Sequence, residues 1–219
     1  RFSMKRVFGM VEAVFDVLYL IAASAIGVFL LMRAQGGGVR LLAGGMALVL
    51  ACGDAFHLVP RICAVVTRQE EALRAALGRG KQITSVTMTI FYLMLWHIGL
   101  LLFAPADMAG DTLLLYLLAA VRIALCLLPQ NKWQDRYPPV RWGIWRNLPF
   151  FAMGIAVALL FGVYGSHAPG MGLMWLAIVL SFAFYLPVVL WANRNAKIGM
   201  LMLPKTCAYV WMLVMCLSL

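Results

Sequence analysis

Asp16, Asp54, His57 and Arg122 stand in stretches of the chain that are otherwise apolar. Hydrocarbon penalises ionisable groups, so each marks a site by default. Asp54 and His57 are three residues apart, one helical turn, and would form an acid–base or proton-handling pair. An arginine such as Arg122 would grip a carboxylate or phosphate through its planar fork. Neighbouring polar residues extend the pattern. Glu12, Asp16 and Tyr19 follow i, i+4, i+7, and Asp54, His57 and Arg61 follow i, i+3, i+7. Lys205 and Tyr209 are i, i+4. Each set lines one stripe of a helix.

Depth groups these residues into one layer. Counting from the basic end of each apolar stretch, Asp16 and His57 lie about 12 Å in, Asp54 about 16 Å, Arg122 about 10 Å and Lys205 about 9 Å. Glu12 and Arg61 are nearer the surface, at about 6 Å. Tyr92 and Tyr185 fall in the same zone, with Tyr19 and Tyr209 slightly deeper. The acids Glu12, Asp16 and Asp54 balance the bases Arg61, Arg122 and Lys205, as mutual pairing requires. At least one acid is expected within salt-bridge distance of Arg122. The candidate ligand-binding set is therefore Asp16, Tyr19, Asp54, His57, Arg61, Tyr92, Arg122, Tyr185, Lys205 and Tyr209. Two plainer readings stand beside it. Glu12, Arg61 and Lys205 are shallow enough to snorkel to water, and the deeper charges would also serve as a purely structural ion network.

The elements that must hold this layer are membrane helices. The chain has 219 residues, 64% hydrophobic and 12% charged, with mean hydropathy +0.93. Soluble domains are nearer half apolar. Seven apolar spans occur, at about 8–32, 41–65, 84–104, 112–129, 147–165, 172–192 and 199–218. Most reach the roughly 20 residues needed to cross hydrocarbon, where the backbone must satisfy its own hydrogen bonds. The expected fold is all-α: one polytopic transmembrane domain over residues 1–219, with the lipid bilayer as its principal partner.

The net charge of +10 follows topology. Arg1, Lys5 and Arg6 precede span 1; Arg61, Arg68, Arg74, Arg79 and Lys81 lie at the second connection; Lys132, Arg136, Arg141 and Arg146 at the fourth; Arg194, Lys197 and Lys205 around the sixth. The other side carries only Arg33 and Arg40. The positive-inside rule places the N-terminus in the cytoplasm and the C-terminus outside, in the bacterial cytoplasmic membrane. Glu12 and Asp16 interrupt the first apolar stretch, so it reads as a retained span and not a cleaved signal. Residues 67–82 read as a short helix on the inner surface, ended by Gly78. Trp133, Tyr137, Trp142 and Trp145, set among basic residues, read as headgroup anchors and not as a nucleic-acid surface. The five cysteines lack any CxxC and read as buried packing thiols.

A weak internal repeat joins the two ends of the chain. Ala47-Leu-Val-Leu and Ala55-Phe-His-Leu in span 2 answer Ala177-Ile-Val-Leu and Ala183-Phe-Tyr-Leu in span 6. Thr89-Ile-Phe-Tyr-Leu in span 3 answers Thr206-Cys-Ala-Tyr-Val in span 7. Halves at 8–104 and 147–218, joined by a linker helix at 112–129, would make a parallel repeat of three-helix units. In helix count and 3+1+3 layout this resembles the sugar and vitamin transporters built from two triple-helix bundles, and also the opsins. Neither family's signature motif is met. Pro129-Gln130 ends the linker span, whereas the transporters carry that pair in the first helix of each bundle. The strings Gly53-Asp-Ala-Phe-His-Leu-Val-Pro-Arg61 and Pro204-Lys-Thr-Cys-Ala-Tyr-Val-Trp211 resemble those of uncharacterised bacterial seven-helix integral membrane proteins.

Several chemistries find no footing. His57 and His97 lie in different halves of the membrane and His167 in a loop, too scattered for zinc. Gly80-Lys81-Gln82 lacks the spacing of a phosphate-binding loop. No GxSxG occurs, and Lys205 is too shallow for an opsin-like Schiff base. No metal or cofactor is expected. Three functions remain: a transporter or binder of a small polar or anionic metabolite, using Arg122 and Arg61 for the anion and Asp54 or Asp16 for a coupling proton; an intramembrane enzyme acting on a lipid or isoprenoid through Asp54 and His57; or a sensor or structural subunit. The ligand is a small molecule or a lipid in the first two, and nothing specifies the number of subunits.

Overall fold

The computed structural model describes residues 2–219, with side chains from Lys5 onward; Arg1, counted above with the basic residues ahead of span 1, lies outside the described residues. Seven α-helices follow one another: α1 (Phe2–Met32), α2 (Gly38–Thr67), α3 (Arg74–Phe103), α4 (Ala109–Leu127), α5 (Val140–Tyr164), α6 (Met174–Trp191) and α7 (Met202–Cys216). All seven spans are long and apolar enough to cross a membrane. The chain is an integral membrane protein with an all-helical bundle fold. At 1.5 Å per residue α4 is about 28 Å long, a bare hydrocarbon thickness, whereas α1 to α3 are near 45 Å and extend beyond it.

Each helix packs on its neighbours in sequence, and α1 closes the ring against α7. α3 also touches α5, so it runs nearest the middle. Close approach rests on small residues, as is usual in lipid. A Cβ on Gly44 of α2 would lie 2.9 Å from the carbonyl oxygen of Gly27 on α1. A Cβ on Gly80 of α3 would run into the backbone of Phe56 and His57 on α2. The core between the helices holds Met46, Leu50, Phe91, Tyr92, Leu95, Met153, Phe161 and Met212. The outward faces carry residues such as Leu18, Ile21, Leu117, Ile155 and Leu159, which meet lipid.

Three expectations need correction. Residues 74–82 do not form a separate surface helix: they are the first turns of α3, and Gly78 is buried inside it. Glycine is there for space, since a Cβ would strike the backbone at Trp133 and Gln134. Trp133 is tied into the protein and not left to the headgroup layer alone. Its indole N–H donates to the carbonyl of Cys126 at 2.9 Å, and Gln82 donates to the same carbonyl at 3.1 Å. Asn131 donates to the carbonyls of Leu125 and Leu128. These side chains satisfy the last carbonyls of α4, which have no partner within the helix. Finally, only Cys126 and Cys216 are buried; Cys52, Cys63 and Cys207 are exposed. Cys52, Phe56, Val59 and Cys63 form the outer stripe of α2 at i, i+4, i+7, i+11. In a membrane, an apolar stripe finds its oily surroundings in lipid as readily as in protein.

Candidate functional site

The polar residues separate into three groups. The first joins α1 and α2. Asp16 belongs to the inward stripe of α1, with Ala13, Tyr19 and Ala23, and is 5% exposed. The buried Tyr19 hydroxyl donates to Asp54 Oδ2 at 2.5 Å. One level nearer the basic end, Arg61 Nε donates to Glu12 Oε1 at 2.9 Å and Nη2 to Oε2 at 3.4 Å. This pair is partly open, with side-chain exposures of 35% and 17%.

The second group joins α4, α5, α6 and α7. The buried stripe of α4 is Leu115, Ala119, Arg122 and Cys126, spaced i, i+4, i+7, i+11. Arg122 thus occupies a core position, and it is 1% exposed. Its Nη1 donates to the carbonyl of Arg146 and to Asn147 Oδ1, both at 2.7 Å. Its guanidinium lies 4.6 Å from the Phe150 ring centroid, and its Nε has no hydrogen-bond partner. Asn147 is fixed in turn by donating to the Gly143 carbonyl at 2.7 Å. Lys205 starts the buried stripe of α7, followed by Ala208, Tyr209 and Met212. Its ammonium sits 4.1 Å from the Tyr185 ring centroid, and Tyr185 also has Arg122 and Arg146 as charged neighbours. Arg146 is anchored to Asn131 at 3.2 Å and stacks on Trp133.

The third group is a buried hydroxyl cluster at the centre. The Tyr92 hydroxyl bonds Ser181 Oγ at 3.1 Å and donates to the Tyr209 hydroxyl at 3.3 Å. Phe91 packs edge-on against both tyrosine rings.

The expected acid partner of Arg122 is not found: among the described residues no carboxylate lies within salt-bridge distance of Arg122 or Lys205. A neutral amide and a backbone carbonyl take that place. Asp54 lies within the electrostatic reach of Lys205 without touching it. Arg61 is committed to Glu12. Asp54 and His57 do not bond one another; His57 instead lies beside Leu77 and Lys81 at the start of α3, with its Nδ1 unpartnered. Asn147, Arg146, Asn131 and Ser181 were missed from the sequence as members of these groups. Asn147 left a trace, an amide at the mouth of an apolar span; Ser181 left none, because a lone serine is ordinary in such helices.

No family model matches the chain, nor does any curated protein or any solved structure. The likeness to bacterial seven-helix proteins gains no support there.

Proposed function

We propose that this chain is a membrane carrier that binds a small anionic metabolite at Arg122, Lys205, Asn147 and Tyr185. The observation behind this is the pair of buried cations that meet at Tyr185 without an acid partner among the described residues. A buried charge lacking a counter-ion is costly, and a bound carboxylate or phosphate would offset that cost. Asp54, held by Tyr19 and within the field of Lys205, is the group suited to a coupling proton. The halves α1–α3 and α5–α7 would move against one another about α4. With the N-terminus cytoplasmic, the cation cluster faces the cytoplasmic half of a bacterial inner membrane. The lipid-enzyme alternative needs Asp54 and His57 to share a proton, and it is disfavoured because Asp54 is held by Tyr19 while His57 lies beside Leu77 and Lys81.

The test is anion binding by the protein in nanodiscs, with phosphate, acetate and succinate as probes. At least one should bind, and Arg122→Gln should weaken it about 10- to 100-fold, the equivalent of a charge-assisted bond worth about 1.5–3 kcal/mol. A folded Arg122→Gln protein that binds as tightly as wild type would overturn the proposal. A reporter fused after Leu219 should appear outside the cell, and one within residues 67–73 inside.

A further inference from the structure

Asp16 stands apart from its neighbours on α1. The stripe of Glu12, Asp16 and Tyr19 descends from the basic end of the bundle, with Asp16 about 6 Å deeper than Glu12 and Tyr19 about 4.5 Å deeper again. Glu12 is partly open and holds Arg61. Tyr19 is buried and donates to Asp54. Asp16, between them, is 5% exposed. Yet among the described residues nothing donates a hydrogen bond to it, and no cation lies within salt-bridge distance.

α1 packs on α2 and α7. The charges around Asp16 are Glu12 on its own helix and Asp54 and Arg61 on α2. The α7 cation, Lys205, has Asp54 as its acidic neighbour. Two of the three charges around Asp16 are therefore acids, and the third is already bound to one of them. An unpaired carboxylate buried in a membrane bundle is costly. A metal ion would offset its charge only inside a shell of several oxygens. Among the described residues no group of three or more acidic, histidine or cysteine side chains could hold one. A proton needs a single carboxyl oxygen.

We propose that Asp16 is a proton-binding site, filled and emptied from the basic end of the bundle through the Glu12–Arg61 pair. Arg61 has both Glu12 and Asp16 as acidic neighbours, one helical turn apart. While Arg61 bonds Glu12, as in this structure, Asp16 has no counter-ion and holds the proton on its carboxyl. When Arg61 moves one turn deeper it pairs with Asp16. The O–H bond of Asp16 then breaks, the proton passes to water at the mouth of the stripe, and Asp16 becomes an anion paired to the guanidinium. Glu12, the more open carboxylate, is left to water. The reverse movement takes one proton from water and restores the Glu12–Arg61 pair. The site is separate from Arg122 and Lys205, so it stands or falls without the anion reading, and it adds a second proton-binding carboxyl beside Asp54.

The experiment follows the carboxyl stretch of protonated aspartate by infrared difference spectroscopy, with the full chain in nanodiscs titrated over pH. Wild type should show a band that is lost as pH rises. Asp16→Asn should remove it, and Asp54→Asn should keep it. If Asp54→Asn removes the band and Asp16→Asn does not, the proton belongs to Asp54; the inference is then wrong and the coupling role of Asp54 stands. A wild type with no such band at any pH also overturns it. Arg61→Gln takes away the only counter-ion, so the band should persist to a pH higher by about 1–3 units; Glu12→Gln frees Arg61 for Asp16, so the band should be lost at a pH lower by about as much. Both changes lie in the partly open pair, so they carry the test if Asp16→Asn does not fold. A titration that neither change moves would overturn the exchange of Arg61. Replacing choline by sodium at fixed pH should leave the band as it is; a band displaced by sodium would make this a site for a metal cation and not for a proton.

Discussion

The α1–α2 cluster and the α4–α7 cluster contain the same kinds of residue at similar depth, yet they are built on opposite principles. Between α1 and α2 most charged groups find protein partners, Arg61 with Glu12 and Asp54 with Tyr19, and among the described residues only the buried Asp16 makes no hydrogen bond or ion pair there. Between α4 and α7 the cations find rings, an amide and a carbonyl, and no acid among the described residues. Equal numbers of acids and bases in one layer thus do not imply pairing between them. A closed cluster lends itself to stability and an open one to binding, because only the open one still gains from an incoming ion.

The largest expected effect belongs to the open cluster. Lys205→Met combined with Arg122→Gln should remove anion binding altogether, while each single change costs about 10- to 100-fold. Calorimetric titration of the double variant decides this, and retained binding would show that the cations only fill space. Next comes the closed cluster. Tyr19→Phe leaves a carboxylate oxygen of Asp54 without its donor, and unfolding should become easier by about 1–3 kcal/mol. A double-mutant cycle with Asp54→Asn should recover much of that loss; strict additivity would mean the bond contributes nothing. Smaller still is the outer pair. Arg61→Gln should cost only about 0.2–1 kcal/mol, and less in high salt, because both side chains are partly open to solvent. The smallest effect is expected on the lipid face of α2. Cys52→Ala and Cys63→Ala should each fall within about 0.5 kcal/mol of wild type by thermal melt. A large loss at either position would mean that this face packs against something other than lipid.

Much of the fold was legible because the membrane simplifies the problem. Hydropathy marks the spans, and the rule that every backbone group must be satisfied turns them into helices. The shared faces of Asp16 with Tyr19 and of Lys205 with Tyr209 were readable from spacing, since helical period fixes which residues share a face. Boundaries were less legible. α3 begins at Arg74 and not near residue 84, because its first turns are polar yet pack against the connection after α4. Trp133 read as an interfacial anchor, but its indole caps α4. Local composition does not show which carbonyls lack a donor.

The sequence by itself determined that seven helices are long and apolar enough to cross a membrane, and which polar residues share a helical face. These follow from transfer energies and helical period, which act residue by residue. Only the tertiary structure decided who meets whom. Arg122 lies beside Asn147 and Asp54 beside Tyr19 because α4 packs on α5 and α1 on α2. That choice depends on the small residues and ring closure that set the helix neighbours, and no single helix carries that information.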